Sequence, residues 1–308
     1  MIINTGQRTD IPAFYSEWFF NRIKDGFVMV RNPYYPEQVT RYELKPEVVD
    51  VLSFCTKNPA PMLDKLDLIK NYRQYWFVTI TPYGKEIEPN VPDKAEIIKS
   101  VKKLSEKVGK SCVGWRYDPI FITDKYSLDF HINAFEEMAK ELKGYVHQAV
   151  ISFIDLYEKT KRNFPEAREV LPDERGKIGE SFAAIGKKYG IKIRTCFEGT
   201  DLAKFGIDCS GCITQRLLES SIGEKLNAPK RKGPRSGCNC LLGNDIGAYN
   251  TCLHFCRYCY ANYDKMTVID NSKNHDPASP LLIGILKPTD NIKYANQKSY
   301  IDNQLSLI

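Results

Sequence analysis

The stretch Trp76-Phe77-Val78-Thr79-Ile80-Thr81, followed by residues 94–108 and then Cys112-Val113-Gly114-Trp115-Arg116, sets the reading of the fold. The two flanking runs are short, mostly apolar and rich in β-branched and aromatic residues, which marks strands covered on both faces. Between them Ile97, Ile98, Val101, Leu104 and Val108 recur with helical spacing, while Lys99, Lys102, Lys103 and Lys107 fall on the other side. Pro92-Asp93 just ahead supplies a helix-start signal. Strand, amphipathic helix and strand in that order make a βαβ unit with parallel strands and a right-handed crossover.

The same rhythm extends in both directions. Strand-like runs also occupy residues 1–4, 49–54, 148–153 and 191–196, and helical patterns occupy 13–24, 63–72, 133–142 and 179–188. Six βα-like units in series predict a mainly parallel α/β body over residues 1–200, as an open sheet or a partial barrel. Residues 26–44 break the rhythm with Phe27-Val28-Met29-Val30 and Gln38-Val39-Thr40-Arg41-Tyr42, which read as an inserted strand pair. The sheet is expected to end near Cys196. From residue 199 onward cysteines, glycines and polar turns take over, with one helical stretch near 214–220. Residues 201–308 are therefore expected to form a cysteine-rich segment and a tail packed on the body.

Composition removes several classes. The 308 residues are 43% hydrophobic and 12% aromatic, which supplies a core and argues against disorder. No apolar run approaches the ~18–20 residues of a membrane span. The opening residues lack the basic and apolar regions of a signal peptide, so a cytoplasmic protein with no membrane partner is expected. The net charge of +6 is mild and suits a solvated surface. One dense cationic run, Lys230-Arg231-Lys232-Gly233-Pro234-Arg235, reads first as an exposed loop and second as a phosphate or nucleic-acid contact. There is no P-loop, no dinucleotide-binding glycine fingerprint, and no histidine that completes a hydrolytic motif. Ten cysteines in a reducing compartment point to metal ligation or catalysis rather than disulfides.

Chemistry in parallel α/β folds collects where strands end and loops begin. The polar residues at those places are Arg8 and Asp10, then Thr56, Lys57 and Asn58, then Tyr83, then Arg116 and Asp118, then Asp155, and finally Glu198. Some will cap helices, as Asp10 before Ile11-Pro12 could. Arg8, Lys57 and Arg116 suit a carboxylate or phosphate, so an anionic small molecule is the expected substrate.

The strongest chemical signal is Cys252-Leu253-His254-Phe255-Cys256-Arg257-Tyr258-Cys259. Three cysteines at spacings of four and three can converge on one metal centre. A structural zinc would borrow a fourth ligand such as His254, whereas a cubane iron–sulfur cluster is held by three thiolates with one iron left open. The pattern resembles that of the radical S-adenosylmethionine superfamily, C-x3-C-x-Φ-C, with Tyr258 at the aromatic position. The resemblance implies a partial (β/α)6 TIM-like barrel and a [4Fe-4S] cluster on Cys252, Cys256 and Cys259. It implies too that S-adenosylmethionine binds the fourth iron, with Tyr258 near the adenine. In that superfamily the motif follows the first strand; here it follows the last expected one.

Further motifs run from end to end: Gln7-Arg8-Thr9-Asp10-Ile11-Pro12-Ala13-Phe14-Tyr15, Thr56-Lys57-Asn58-Pro59, Trp115-Arg116-Tyr117-Asp118-Pro119, Asp245-Ile246-Gly247-Ala248-Tyr249-Asn250-Thr251-Cys252 and Tyr258-Cys259-Tyr260-Ala261-Asn262. Through them residues 1–265 resemble a bacterial family of unknown function that is similar to spore photoproduct lyase-type enzymes. Of the remaining cysteines, Cys209 and Cys212 form one close pair and Cys238 and Cys240 another. The resemblance favours Cys196, Cys212, Cys238 and Cys240 as a second metal set, with Cys209 left over. Four thiolates suit an auxiliary iron–sulfur cluster or a structural zinc equally. Cys55 and Cys112 lie inside apolar strands and read as core residues.

The resemblance implies reductive cleavage of S-adenosylmethionine to a 5′-deoxyadenosyl radical, which takes hydrogen from a substrate at the barrel mouth. Arg8, Lys57, Arg116, Asp118 and Asp155 are the catalytic or substrate-contacting candidates, and Tyr258, Glu198 and Asn58 the cofactor-contacting ones. A flavodoxin- or ferredoxin-type protein is the expected electron donor. A different class of protein, a zinc-stabilised nucleic-acid binder without catalytic activity, would use residues 230–235 and the cysteine pairs.

Overall fold

The computed structural model describes residues 1–229, 238 and 240–302, so the cationic run at 230–235 lies outside the described residues. In chain order, β1 (Ile2–Asn4) is followed by α1 (Ile11–Phe14), α2 (Ser16–Asp25), β2 (Phe27–Arg31), β3 (Gln38–Glu43) and β4 (Val51–Thr56). Then come β5 (Gln74–Thr79), α3 (Lys94–Val108), β6 (Val113–Ile120), α4 (Leu128–Leu142) and β7 (Gln148–Phe153). The last third carries α5 (Glu158–Asn163), α6 (Pro172–Tyr189), β8 (Lys192–Thr195), α7 (Gln215–Ile222), β9 (Asn244–Asp245), α8 (Lys265–Lys273) and β10 (Asn291–Tyr294).

Seven strands form one sheet in the order β8-β7-β6-β5-β4-β1-β9, and every pairing in it is parallel. The fold is thus α/β, a parallel sheet alternating with helices and consistent with a partial TIM-like barrel. The six expected strands are all present. The expectation that the sheet ends near Cys196 needs correction, because β9 adds a seventh strand beside β1. The loop 252–259 therefore follows β9, not the sixth strand. The inserted pair is present as the antiparallel β2–β3 hairpin, and β10 joins it in parallel to β3.

One face of the sheet is covered by helices. Ile97, Val101 and Leu104 of α3, Phe135, Ala139 and Leu142 of α4, and Ile178 and Phe182 of α6 are all buried there. Trp115 of β6 stacks on Phe135 at 4.6 Å, and Phe135 on Phe182 at 3.8 Å, so one aromatic column links β6, α4 and α6. The helical pattern expected at 63–72 is instead a 3-10 segment at Ala60–Ile69. Asn58 starts it, its Oδ1 accepting the Ala60 N–H at 3.2 Å.

Side chains two apart on a strand share a face, and the registers Cys55↔Phe77, Phe77↔Gly114, Thr79↔Arg116, Arg116↔Val150 and Val150↔Arg194 align the other face across five strands. Its lower part is filled by a second core of Val51, Tyr75, Phe77 and Val150 against Leu217 and Leu218 of α7. Gly114 must be glycine here, since a Cβ would stand 2.7 Å from the Tyr75 hydroxyl. Nearer the carboxyl ends the same face turns polar, through Thr79, Arg116, Ser152 and Cys196. Among the described residues no helix is long and apolar enough to cross a membrane.

Candidate active site

β9 ends at Asp245 and the chain runs directly into the loop 252–259, which leaves the sheet on its carboxyl side. Polar contacts fasten this loop to the segments after three other strands. His254 Nε2 lies 2.9 Å from Asp10 Oδ2, behind β1, and the same oxygen accepts the Lys57 N–H at 2.7 Å, behind β4. Asn90, behind β5, donates from Nδ2 to the Leu253 carbonyl at 2.7 Å and from its N–H to the His254 carbonyl at 3.2 Å. Lys159, behind β7, donates to the Cys259 carbonyl at 3.0 Å. Both ring nitrogens of His254 face oxygens, Nδ1 lying 3.4 Å from the Asn90 carbonyl, so the imidazole serves the loop's seating rather than the sulfurs. Asp10 also caps α1 by accepting the Ala13 N–H at 3.0 Å.

Cys252 and Cys256 both feel the charge of Cys259. Burial, reinforced by Cys259 and Asp10, drives the Cys252 thiol well above its usual range; burial also pushes Cys256 up to about 12, against the pull of Lys57. Thiolates here are stable only beside a strong positive charge, which is what a bound metal supplies. Among the described residues three non-glycine residues have positive φ: Asn250 (57°), Phe255 (55°) and Phe197 (62°). Each lies within two residues of a cysteine, and a left-handed phenylalanine costs roughly 1–2 kcal/mol. Asn262 donates from Nδ2 to the Cys252 carbonyl at 2.7 Å, and its Oδ1 is buried without a partner. Among the described residues no three His, Cys, Asp or Glu side chains converge on one ion-binding point. Donor type, burial and local strain nevertheless fit a thiolate-held group at the loop.

Beside the loop sits a carboxylate that the sequence reading passed over. Glu88 is 1% exposed, and its Oε1 accepts from Lys57 Nζ at 2.8 Å, from Thr81 Oγ1 at 2.6 Å and from the Tyr258 hydroxyl. Its Oε2 accepts from Lys94 Nζ at 2.7 Å. Burial alone would raise this carboxyl, but Lys57 and Lys94 outweigh it and hold it at about 2. Tyr258 is thereby pinned by its hydroxyl, while its ring lies against Tyr83 and Phe121. Lys57 carries charge near Cys256, Glu88 and Asp118 at once.

Arg116 lies on the polar part of the concave face, over the Phe77 ring at 5.2 Å, with Nε donating to Asp118 Oδ1 at 3.1 Å. Ser152 donates to Asp118 Oδ2 at 3.3 Å. Burial works against the Arg116 charge, and Asp118 with the sulfurs of Cys212, Cys196 and Cys55 more than restores it. The second cysteine set is thus on this face as well: Cys212 and Cys240 sulfurs are 3.2 Å apart, Cys196 is in thiol hydrogen-bond contact with Cys212, and Cys238 is close enough to act on Cys240. Cys209 turns away, its thiol lying 3.6 Å from the Ile207 carbonyl.

The other candidates are more dispersed. Arg8 spans β1 and β9, with Nε 3.7 Å from Asp245 Oδ1 and Nη1 3.4 Å from the Gly247 carbonyl. Glu198 accepts the Phe153 N–H at 2.9 Å and faces Arg175 at 3.4 Å; burial raises its carboxyl to about 7. Asp155 is exposed, 3.2 Å from the Tyr157 hydroxyl. Asn58 spends its side-chain oxygen on the turn before Ala60. Tyr83 is a core residue, its hydroxyl donating to the Pro119 carbonyl at 2.6 Å. The arrangement brings Lys57, Tyr258 and Cys256 together on one side and Arg116, Asp118, Cys196 and Cys212 on the other, with Lys57 and Asp118 close enough to interact. The three cations here are each paired, Lys57 and Lys94 with Glu88 and Arg116 with Asp118.

No curated protein matches the chain. Among solved structures it is similar to one described as spore photoproduct lyase complexed with dinucleoside spore photoproduct, at 17% identity and a TM-score of 0.36. That likeness covers 46% of this chain and 50% of the other, so the chain spans about half the length of that structure. Residues 2–261 match the model of a family described as Domain of unknown function (DUF1848), and the chain belongs to that family.

Proposed function

We propose that the chain is a radical S-adenosylmethionine enzyme acting on an anionic small molecule. The observation that carries this reading is the loop Cys252-Leu253-His254-Phe255-Cys256-Arg257-Tyr258-Cys259: three cysteines in the superfamily's spacing, on the carboxyl side of a parallel sheet, with the nearby histidine committed elsewhere. Cys252, Cys256 and Cys259 would hold a [4Fe-4S] cluster, leaving one coordination position for S-adenosylmethionine. When bound, such a cluster supplies the electron for reductive cleavage of the sulfonium.

The chain's own residues would do the rest. Lys57 offsets negative charge at Cys256. Glu88 keeps Lys57 and Tyr258 in place, and the half-buried Tyr258 ring offers a flat apolar face beside the cysteines. Arg116 and Lys57 supply the cations for a carboxylate or phosphate, with Asp118 orienting Arg116. Burial of these groups keeps water and stray hydrogen donors away from the reacting centre. A flavodoxin- or ferredoxin-type protein would deliver the electron.

The test is anaerobic reconstitution of the wild type and of the Cys252→Ala/Cys256→Ala/Cys259→Ala variant. The wild type should be brown and release 5′-deoxyadenosine from S-adenosylmethionine on reduction. The variant should keep its fold and release none. 5′-Deoxyadenosine from the variant, or a colourless wild type carrying only zinc, would overturn the proposal; the latter would favour a zinc-stabilised binding protein.

A further inference from the structure

The second cysteine set has features that the reading above does not use. Its members come from three separate stretches: Cys196 directly after β8, Cys212 just before α7, and Cys238 with Cys240 shortly before β9. The fold gathers them on the concave face. Cys212 and Cys240 sulfurs are 3.2 Å apart, Cys196 contacts Cys212, and Cys238 neighbours Cys240.

Two local features show that the sulfurs are closely fitted. Gly211 has φ of 122°, a conformation that favours glycine, and a Cβ there would press on the Cys240 sulfur at 3.3 Å. Phe197, next to Cys196, is held in the left-handed region at φ 62°. The Arg116 guanidinium, paired with Asp118, is near enough to Cys196 and Cys212 to feel their charge.

The sulfur spacing discriminates between possible occupants. Around one tetrahedral ion with metal–sulfur bonds of about 2.3 Å, neighbouring sulfurs stand ~3.8 Å apart. Thiolates on separate irons of a cubane point outward from its corners and stand considerably farther apart. A 3.2 Å contact between Cys212 and Cys240 is near the first geometry and far from the second. The four sulfurs do not yet converge on one point. A χ1 rotation carries a cysteine sulfur by up to about 3 Å, and such rotations of Cys196 and Cys238 are what the proposed site requires.

We propose that Cys196, Cys212, Cys238 and Cys240 bind a single divalent thiophilic cation, zinc or iron(II), as a mononuclear tetrathiolate site on the concave face. Binding releases the thiol protons and gives the centre two net negative charges, which Arg116 faces. The site ties the end of β8 to the segment that leads into β9.

The experiment uses the full chain in which Cys252, Cys256 and Cys259 are alanine, purified without oxygen, so that the other cysteine loop contributes nothing. Metal analysis should find one zinc or one iron per chain and no acid-labile sulfide; the element found distinguishes the two ions. Exchange with cobalt(II) should give the visible absorption of a tetrahedral cobalt thiolate. Adding Cys212→Ser or Cys240→Ser should abolish it, whereas Cys209→Ser should leave it intact. Because the serine variants could misfold, a second measurement uses the unaltered second set: displacing the metal with a mercurial should release one ion as four thiols react. Four irons with labile sulfide, no metal, or a site lost with Cys209→Ser would each overturn the proposal. None of these outcomes depends on cleavage of S-adenosylmethionine.

Discussion

Replacing Glu88 by glutamine should reveal how much of the fold's stability rests beneath the cysteine loop. The carboxylate is 1% exposed and gathers two ammonium groups and two hydroxyls. The folded carboxyl keeps its charge down to about pH 2, while an unfolded glutamate takes up its proton near 4.3–4.5. Its contribution is therefore complete above that range and fades as the pH falls towards 2. That difference corresponds to about 3 kcal/mol at pH 7, shrinking to about 1 kcal/mol at pH 3. Glutamine keeps the shape but sets an amide N–H₂ against a lysine, and breaking a buried pair typically costs about 3–5 kcal/mol. Urea unfolding followed by circular dichroism should show the Glu88→Gln variant about 3 kcal/mol less stable at pH 7. The difference should narrow steadily below pH 4.5. A double-mutant cycle with Tyr258→Phe should add a coupling of about 1.5–3 kcal/mol, the range for a hydrogen bond to a charged group. A variant within about 0.5 kcal/mol of the wild type at every pH would refute the reasoning, since surface carboxylates behave that way.

Two further perturbations probe other parts of the fold. Gly6→Ala should cost several kcal/mol and leave little soluble protein, because its Cβ would stand 2.3 Å from the Cys55 carbonyl oxygen, backbone against backbone; thermal melting within a degree or two of the wild type would contradict the close approach of these segments. His131 lies fully buried between the Tyr117 hydroxyl and the Phe121 carbonyl, and burial lowers its pKa to about 4. It should remain neutral at pH 5 by imidazole nitrogen NMR, and because the unfolded histidine protonates near 6.5, stability should fall by about 2 kcal/mol between pH 8 and pH 5; a titration midpoint near 6.5 in the folded protein would sink this expectation.

The strands were legible because each is covered on both faces and reads as a short apolar run. The same property made β9 illegible: Asn244 and Asp245 have no strand-like composition, and their pairing with Ile3 and Asn4 is what makes them a strand. The helix expected at 63–72 had the right apolar spacing, but apolar spacing does not distinguish an α-helix from the 3-10 segment that begins after the Asn58 turn. At the site, the thiols were legible from spacing. Glu88 was not, because in Glu86-Ile87-Glu88-Pro89 it reads as a solvated loop charge, and its burial depends on lysines 31 residues before it and 6 after it. Its only local hint is a glutamate wedged between isoleucine and proline. Asp10 was legible as a helix cap and illegible as the partner of His254, 244 residues away. The place of His131, fully inside, rests on Tyr117 and Phe121, which satisfy both its nitrogens.

Placing β9, the strand that precedes the cysteine loop, next to β1 has a consequence for biosynthesis. β4 can cover one side of β1 early, but the partner for the other side, Asn244–Asp245, leaves the ribosome 240 residues after Asn4. At synthesis rates of about 5–20 residues per second, that flank of β1 stays open for roughly 10–50 s. An uncovered parallel edge invites pairing with other nascent chains. Three residues is a short edge, and the hydrogen-bonding groups on offer are correspondingly few. The loop that carries Cys252 emerges later still, so the thiols reach their seat only after the surface that receives them has been translated, and any insertion of iron into them is by necessity a late event in the life of the chain.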